Sequence, residues 1–577
     1  MRLLSVAIFV CCQLFVRAQN VVEYWDAEQT KKKSEQELKG GMQHGKFIAW
    51  YKNGDIAKLG NYTEGKEDGT FTFYYPGKVK KAIANYVNGQ KHGEWTYWYQ
   101  NGTKAQQTFF KFNLADSVWK GWYENGNLKS VESYTMNKKE GEWIYYYSNA
   151  QMESRCNFSA NEANGTYTGW YSNANKEMEG AYANGIKQGI WKEWYTNGKP
   201  KQETNYLDSA NEQLMNLWLK DGSHIIKNGN GQFTIVYDNG KTKGEGVYKD
   251  GYMFGNWSFY MPDGEKDFVV NYDKGKKNGV YKSWYKNGNV KSVGNYLNDA
   301  KTGYWKWYRE NASIEIEGEL IAGKRNGKWM YWFGDNQKEA EGYYKNDVQD
   351  SIWMYWYKTG EKWKEGNYHE GVKNGTWTTW FESGKILQEG DYVNGKENGL
   401  WQSWYDNGVM KDKGEFKAGQ MHGYWQGWLP NKTPVYEGNY ANNMKSTAWK
   451  YYFPNGKIEN EGDYKNGLKN GLWVSWSPYG IKITEGSYKD DLPEGKWLYF
   501  FETGGKSAEK TYKEGNLNGT CKTWHENASL QSITNYKLVK NRTTGRYESK
   551  ADGKWTYYNN EGKIIKEIMY KNGKKIN

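Results

Sequence analysis

Aromatic residues return every 24 positions along this chain, and the polar and glycine residues between them keep the same beat. With one aromatic taken as position 0, the series runs Phe47, Phe71, Trp95, Trp119, Trp143, Tyr167 and Trp191, with Met215 in the same place. A second series runs from Phe233 through Trp257, Tyr281, Trp305, Trp329, Trp353, Trp377, Trp401, Trp425, Trp449, Trp473 and Trp497 to Cys521, and Trp555 adds one more. Position +3 is again aromatic in nearly every unit, and position +15 is Tyr or Phe in all but two. A fixed period over about 22 units marks stacked repeats rather than several independent domains.

The punctuation inside each unit predicts its fold. Asn-Gly stands at +6 and +7, as in Asn101-Gly102, Asn287-Gly288, Asn407-Gly408 and Asn455-Gly456, between aromatic and β-branched runs. That dipeptide tolerates positive φ at both central positions of a type I′ turn, so each unit reads as a β-hairpin. A second glycine-rich connection, such as Asn466-Gly467-Leu468-Lys469-Asn470-Gly471, carries the chain onward. The expected fold is all-β: an elongated array of about 22 antiparallel hairpins without substantial helix.

A two-residue turn at +6/+7 makes opposed positions sum to 13. Trp377 then lies across from Gly390, and Tyr392 across from Gly375, each ring covering a glycine on the partner strand. Side chains alternate, so positions 0, +4, +9, +13 and +15 should share an apolar face that includes Val290, Ile386 and Ile458. The other face holds +1, +10, +12 and +14, with Glu365, Glu389, Glu461 and Glu485 at +12. The tryptophans at +3 fall on this polar parity. Either they lie on the solvated face, or a bulge between +3 and +4 turns them inward.

Breaks in the period suggest the organisation. Residues 1–19 read as a secretory leader: Met1-Arg2, an apolar stretch from Leu3 to Val16, then Arg17-Ala18-Gln19, with cleavage after Ala18 or Gln19. Residues 20–46 resemble a degenerate cap, 47–222 a first block of eight units and 223–540 a second of thirteen. Residues 541–577 add an insertion and a last hairpin. The second block begins where the spacing from Met215 to Phe233 shortens to 18 residues. No other apolar run approaches the roughly 20 residues of a membrane span. Beyond the leader only Cys156 and Cys521 remain, too far apart along a straight stack to pair, so ring packing must replace disulfides.

The unit resembles the MORN repeat variant family. The resemblance rests on Tyr464-Lys465-Asn466-Gly467-Leu468-Lys469-Asn470-Gly471-Leu472-Trp473 with Glu485-Gly486-Ser487-Tyr488, a pattern recurring some twenty times. The family occurs in tandem in bacterial proteins labelled antitoxin or immunity components and in secreted repeat proteins. The resemblance implies hairpin arrays used for protein binding or scaffolding, or for lipid contact; it does not imply an enzyme.

The residues offer little for catalysis. His44, His92 and His422 stand at −3, where other units carry Asn, and read as turn residues without zinc-type spacing. Gly504-Gly505-Lys506-Ser507 imitates the end of a phosphate loop, but Phe500 stands where the first glycine belongs. Glu at +12 recurs too often to be a single catalytic carboxylate and reads as a cross-strand partner of lysine. No catalytic, cofactor or metal residue is therefore assigned. Eleven Asn-X-Ser/Thr sequons, among them Asn61, Asn101, Asn256, Asn374 and Asn541, matter only in a glycosylating host. The net charge of +12 is spread over all units with balancing glutamates, which argues against a nucleic-acid partner.

Two functions follow. One is a secreted or surface scaffold for protein–protein interaction, on the array surface or at the irregular stretch 216–232. The other is a glycan or cell-envelope binder that uses exposed rings, with an antitoxin or immunity role as a further alternative. The +3 row, Trp50, Trp98, Trp122, Trp194, Trp284, Trp332, Trp356, Trp380, Trp404, Trp428 and Trp476, is the candidate ligand- or partner-binding row and discriminates the two: rings exposed as a ladder favour ligand binding, packed rings a scaffold. Trp377, Gly390 and Tyr392 are structural in either reading.

Overall fold

The computed structural model describes residues 18–576. The leader reading falls on 1–17, outside them, apart from its last two residues. The described residues contain strands and turns and no helix, in two antiparallel sheets of 21 and 31 strands. The chain divides into two compact units, 1–264 with 271–276 and 265–270 with 277–577. Within each, consecutive strands pair in sequence order. The first sheet ends with the strand His224–Ile226, and the second opens with Gly231–Val236.

The register follows the sum of 13 along most of the hairpin: Trp377 pairs with Gly390 and Gly375 with Tyr392. The turn differs from the expected one. The Gly384 N–H bonds the Phe381 carbonyl and the Phe381 N–H bonds the Lys385 carbonyl, and of these loop residues only Gly384, at +7, has positive φ. This is a type I turn closed by a left-handed residue, a three-residue loop rather than type I′. The two-residue I′ turn belongs to the other connection, where Asn466 and Gly467 have φ of 51° and 83°. Asn at +6 does something else. The Asn455 side chain accepts from the Lys457 N–H and donates to the Pro478 carbonyl of the next unit.

The longer loop leaves an extra residue at +10, so the register slips between +2 and +3, and Trp380 pairs with Ile386. Position +9 therefore moves to the face of +3 and +12. Lys362 at +9 pairs with Glu365 at +12, 2.7 Å away, and lies over the Trp380 ring of the next unit. Val290, Ile386 and Ile458 thus share the +3 face, not the face of row 0.

The glycine cover also differs. The ring over Gly390 is Trp401, from the following unit, and Trp377 covers Gly366 of the preceding one. Each row-0 ring therefore crosses a unit boundary, and Tyr392 does not cover Gly375. Gly375 sits at a second bulge with φ of +77°, a left-handed conformation that glycine adopts without strain. The −3 histidines stand beside this bulge rather than in a turn; His44 and His422 lie inside strands.

The core is this row of rings. Trp377 is 4% exposed, donates its Nε1–H to the Asn367 carbonyl at 3.1 Å, and lies edge-to-face between Tyr368 and Tyr392. Lys373 covers it from the open side, with Nζ 4.3 Å from the ring centroid. Burial holds the Lys373 ammonium below its ordinary pKa. An apolar floor, two perpendicular rings and a lysine stem thus bury an indole in a single-layer sheet. Tyrosines at +4 tie successive units as well; the Tyr405 hydroxyl donates to the Trp428 carbonyl at 3.0 Å. Among the described residues Cys156, in the floor position +13, and Cys521, in the ring position 0, are free and buried.

Candidate interaction face

The slipped register decides the setting of the +3 tryptophans. They share the charged face with Lys at +9 and Glu at +12, and Trp50, Trp98, Trp122, Trp194, Trp284, Trp332, Trp356, Trp380, Trp404, Trp428 and Trp476 are all half-buried there. The solvated-face alternative holds. The bulge opposes +3 to +9 without turning the rings into row 0. Lysines from the preceding unit lie over six of them: Lys32 on Trp50, Lys104 on Trp122, Lys176 on Trp194, Lys266 on Trp284, Lys338 on Trp356 and Lys362 on Trp380. These contacts, 5.1–5.8 Å from the ring centroids, hold the rings in place while leaving them half-accessible.

The glutamates at +12 hold this lysine grid. Glu341 bonds Lys338 at 2.8 Å on its own strand and Lys328 at 3.2 Å across, and these cations lower its carboxyl pKa against the opposing effect of burial. Glu317 meets Lys306 at 2.8 Å. The cross-strand role expected for this position is what it performs.

Sequence reasoning passed over position −1, which pairs with +14 and so faces the same way. Its side chains include Val280 at 60% exposure, Ile352, Leu400, Tyr424 and Leu472, all exposed. A column reading at −1 would have shown them. The face thus combines half-buried indoles, exposed apolar side chains at some of the −1 positions and paired charges. The stretch 216–232 is locally filled: His224 stacks on Trp218 at 4.4 Å and bonds Asn216. Among the described residues, no three His, Cys, Asp or Glu side chains converge as metal ligands, and no helix is long and apolar enough to cross a membrane.

The family model for the MORN repeat variant matches nine segments: 43–64, 91–112, 115–135, 187–208, 277–298, 373–394, 397–418, 447–466 and 551–572. These nine repeats match the MORN repeat variant. Each match ends in or beside the +15 ring and its turn, so model and structure share one period. No curated protein matches the chain. Among solved structures, a TcdB2-TccC3 complex is 9% identical over 96% of this chain and 36% of its own, with a TM-score of 0.12. A Photorhabdus luminescens Tc holotoxin pore is 10% identical over 96% and 34%, also at 0.12. The MORN-variant chain spans about a third of the length of those structures, and an overlap this poor transfers neither fold nor function.

Proposed function

We propose that this MORN-variant chain is a non-enzymatic scaffold, secreted or held at the cell surface, that binds protein through its +3 face. The observation that carries the reading is the recurring half-burial of the +3 tryptophans beside the exposed −1 row. Aromatic anchors rimmed by polar groups supply most of the energy at protein interfaces. The exposed aliphatic side chains among the −1 residues favour protein over glycan as the occupant, because sugars present few surfaces for Val280, Leu400 or Leu472 to cover. The leader-like residues 1–19 support export, and fractionation of the native host would locate the chain.

A photo-crosslinking residue at Leu400 or Leu472 should give a discrete protein adduct. The triple variant Trp380→Ser, Trp404→Ser, Trp428→Ser should lose that adduct while keeping its circular dichroism. An adduct that persists in the triple variant, or a glycan array response in its place, overturns the reading.

A further inference from the structure

The face carrying row 0 contains one interruption that the protein-binding reading does not use. Along the second unit most indoles at position 0 have a cation at −4, an aromatic residue at +2, or both. Lys373, Lys445 and Lys469 cover Trp377, Trp449 and Trp473 with Nζ 4.2–4.6 Å from the ring centroids. Trp353 and Trp497, which have Gln349 and Pro493 at −4, have Tyr355 and Tyr499 at +2, centroids 5.9 and 6.2 Å away. Among the described residues of this unit, only Trp401 and Trp425 lack both. Their −4 residues are Glu397 and Met421, and their +2 residues are Ser403 and Gly427.

These two indoles are neighbours, and the missing groups leave a cleft of about 310 Å³ lined by both, with Glu397, Asp412, Ser403 and Tyr436. Asp412 accepts from the Tyr436 hydroxyl at 2.8 Å and from Ser403 Oγ at 3.3 Å, which fixes its carboxylate at the wall. The cleft has thus lost the chain's own ammonium and gained two carboxylates beside two indoles that are 6% and 7% exposed. Lys373, whose ammonium feels the Glu397 charge, lies over the neighbouring indole.

We infer that this cleft binds an organic ammonium group, seated over Trp401 and Trp425 as the lysine ammonium is seated over Trp377, with Asp412 and Glu397 supplying the counter-charge. Ring faces attract cations through their quadrupole, and a carboxylate at the rim adds the charge that a neutral aromatic pocket lacks. The site lies on the opposite side of the sheet from the +3 row and stands or falls independently of it.

The test titrates the full chain with choline, with its neutral isostere 3,3-dimethylbutan-1-ol and with Nα-acetyl-lysine methylamide, read by ligand-observed NMR. Choline or the lysine derivative should bind at least about tenfold more tightly than the isostere. A tighter choline response marks a free methylated ammonium as the occupant, and a tighter lysine response marks a side chain of a partner protein. The variant Met421→Lys, alone and with Glu397→Lys, rebuilds the arrangement of the flanking units and should remove binding. Ser403→Tyr, which fills the cleft as Tyr451 does two units on, should do the same. Equal binding of choline and the isostere, no ammonium binding at all, or unchanged binding in the refilled variants overturns the assignment.

Discussion

The units around Trp95, Trp119 and Trp143 and those from Trp377 to Trp497 share one period but not one packing. In the later group the floor of each indole is a glycine, Gly366 through Gly486, and the preceding aromatic meets the indole at 86–88°. In the earlier group the floor is Ala84, Thr108 or Glu132, and the same angle falls to 61–64°. The strands there break at His92, Asp116 and Glu140, whereas Val372–Trp380 and its later counterparts run unbroken. A Cβ under the ring goes with a tipped ring and an interrupted strand, although the His92, Asp116 and Glu140 N–H groups still bond the Asn85, Phe109 and Ser133 carbonyls at 2.9–3.0 Å. The strand reaching Cys521, over Lys510, breaks in the same way. Where the overlying ring is smaller, as with Tyr167 over Cys156 or Tyr281 over Val270, the strand stays whole.

The largest effect should come from removing a ring. Trp377→Ala, which empties a glycine-floored site, should cost roughly 3–5 kcal/mol locally, and Trp119→Ala less, because that ring is half-exposed and has Ala115 rather than lysine at −4. Urea unfolding of short arrays carrying each change measures the difference; equal costs would break the comparison. Next, Gly366→Ala should cost about 1–3 kcal/mol by overpacking against Trp377. The reverse change, Ala84→Gly beneath Trp95, should gain little net stability in the same urea unfolding.

Much of this was legible in the sequence. The 24-residue beat gave the hairpins, and the pairing of Trp377 with Gly390 follows from it. The turn at +6/+7 was misread because Asn-Gly serves two turn types, and the dipeptide alone does not say whether Asn adopts positive φ or reaches across to the next unit, as Asn455 does. That single slip moved +9 to the other face. Columns read down the repeat rather than along it would have shown that Trp401 and Trp425 lack both the −4 cation and the +2 ring.

Smaller effects refine the contrast. Thr447 holds φ of 53° at the −2 bulge, where most units have glycine, so Thr447→Gly should stabilise by about 1 kcal/mol. Tyr405→Phe, which removes one tie between units, should cost about 0.5–1.5 kcal/mol. Alkali should loosen both regions. Burial pushes the Tyr145 and Tyr424 phenols up to about 12 from 10.0, so the folded state keeps them neutral where the unfolded chain ionises. Their contribution is complete below pH 10 and is lost as pH rises toward 12, which an alkaline circular-dichroism titration would follow.

The central claim is that the two tryptophan rows do different work, row 0 binding unit to unit and row +3 facing outward. Indole N–H exchange by NMR separates them directly. All fifteen row-0 tryptophans donate Nε1–H to a backbone carbonyl of the preceding unit at 2.8–3.1 Å. Among the described residues no +3 tryptophan makes such a bond. Fifteen slowly exchanging indoles, set apart from a faster +3 group in which Trp332, with its Nε1 buried, is the exception, is the expected result; one common rate for both rows would contradict the account.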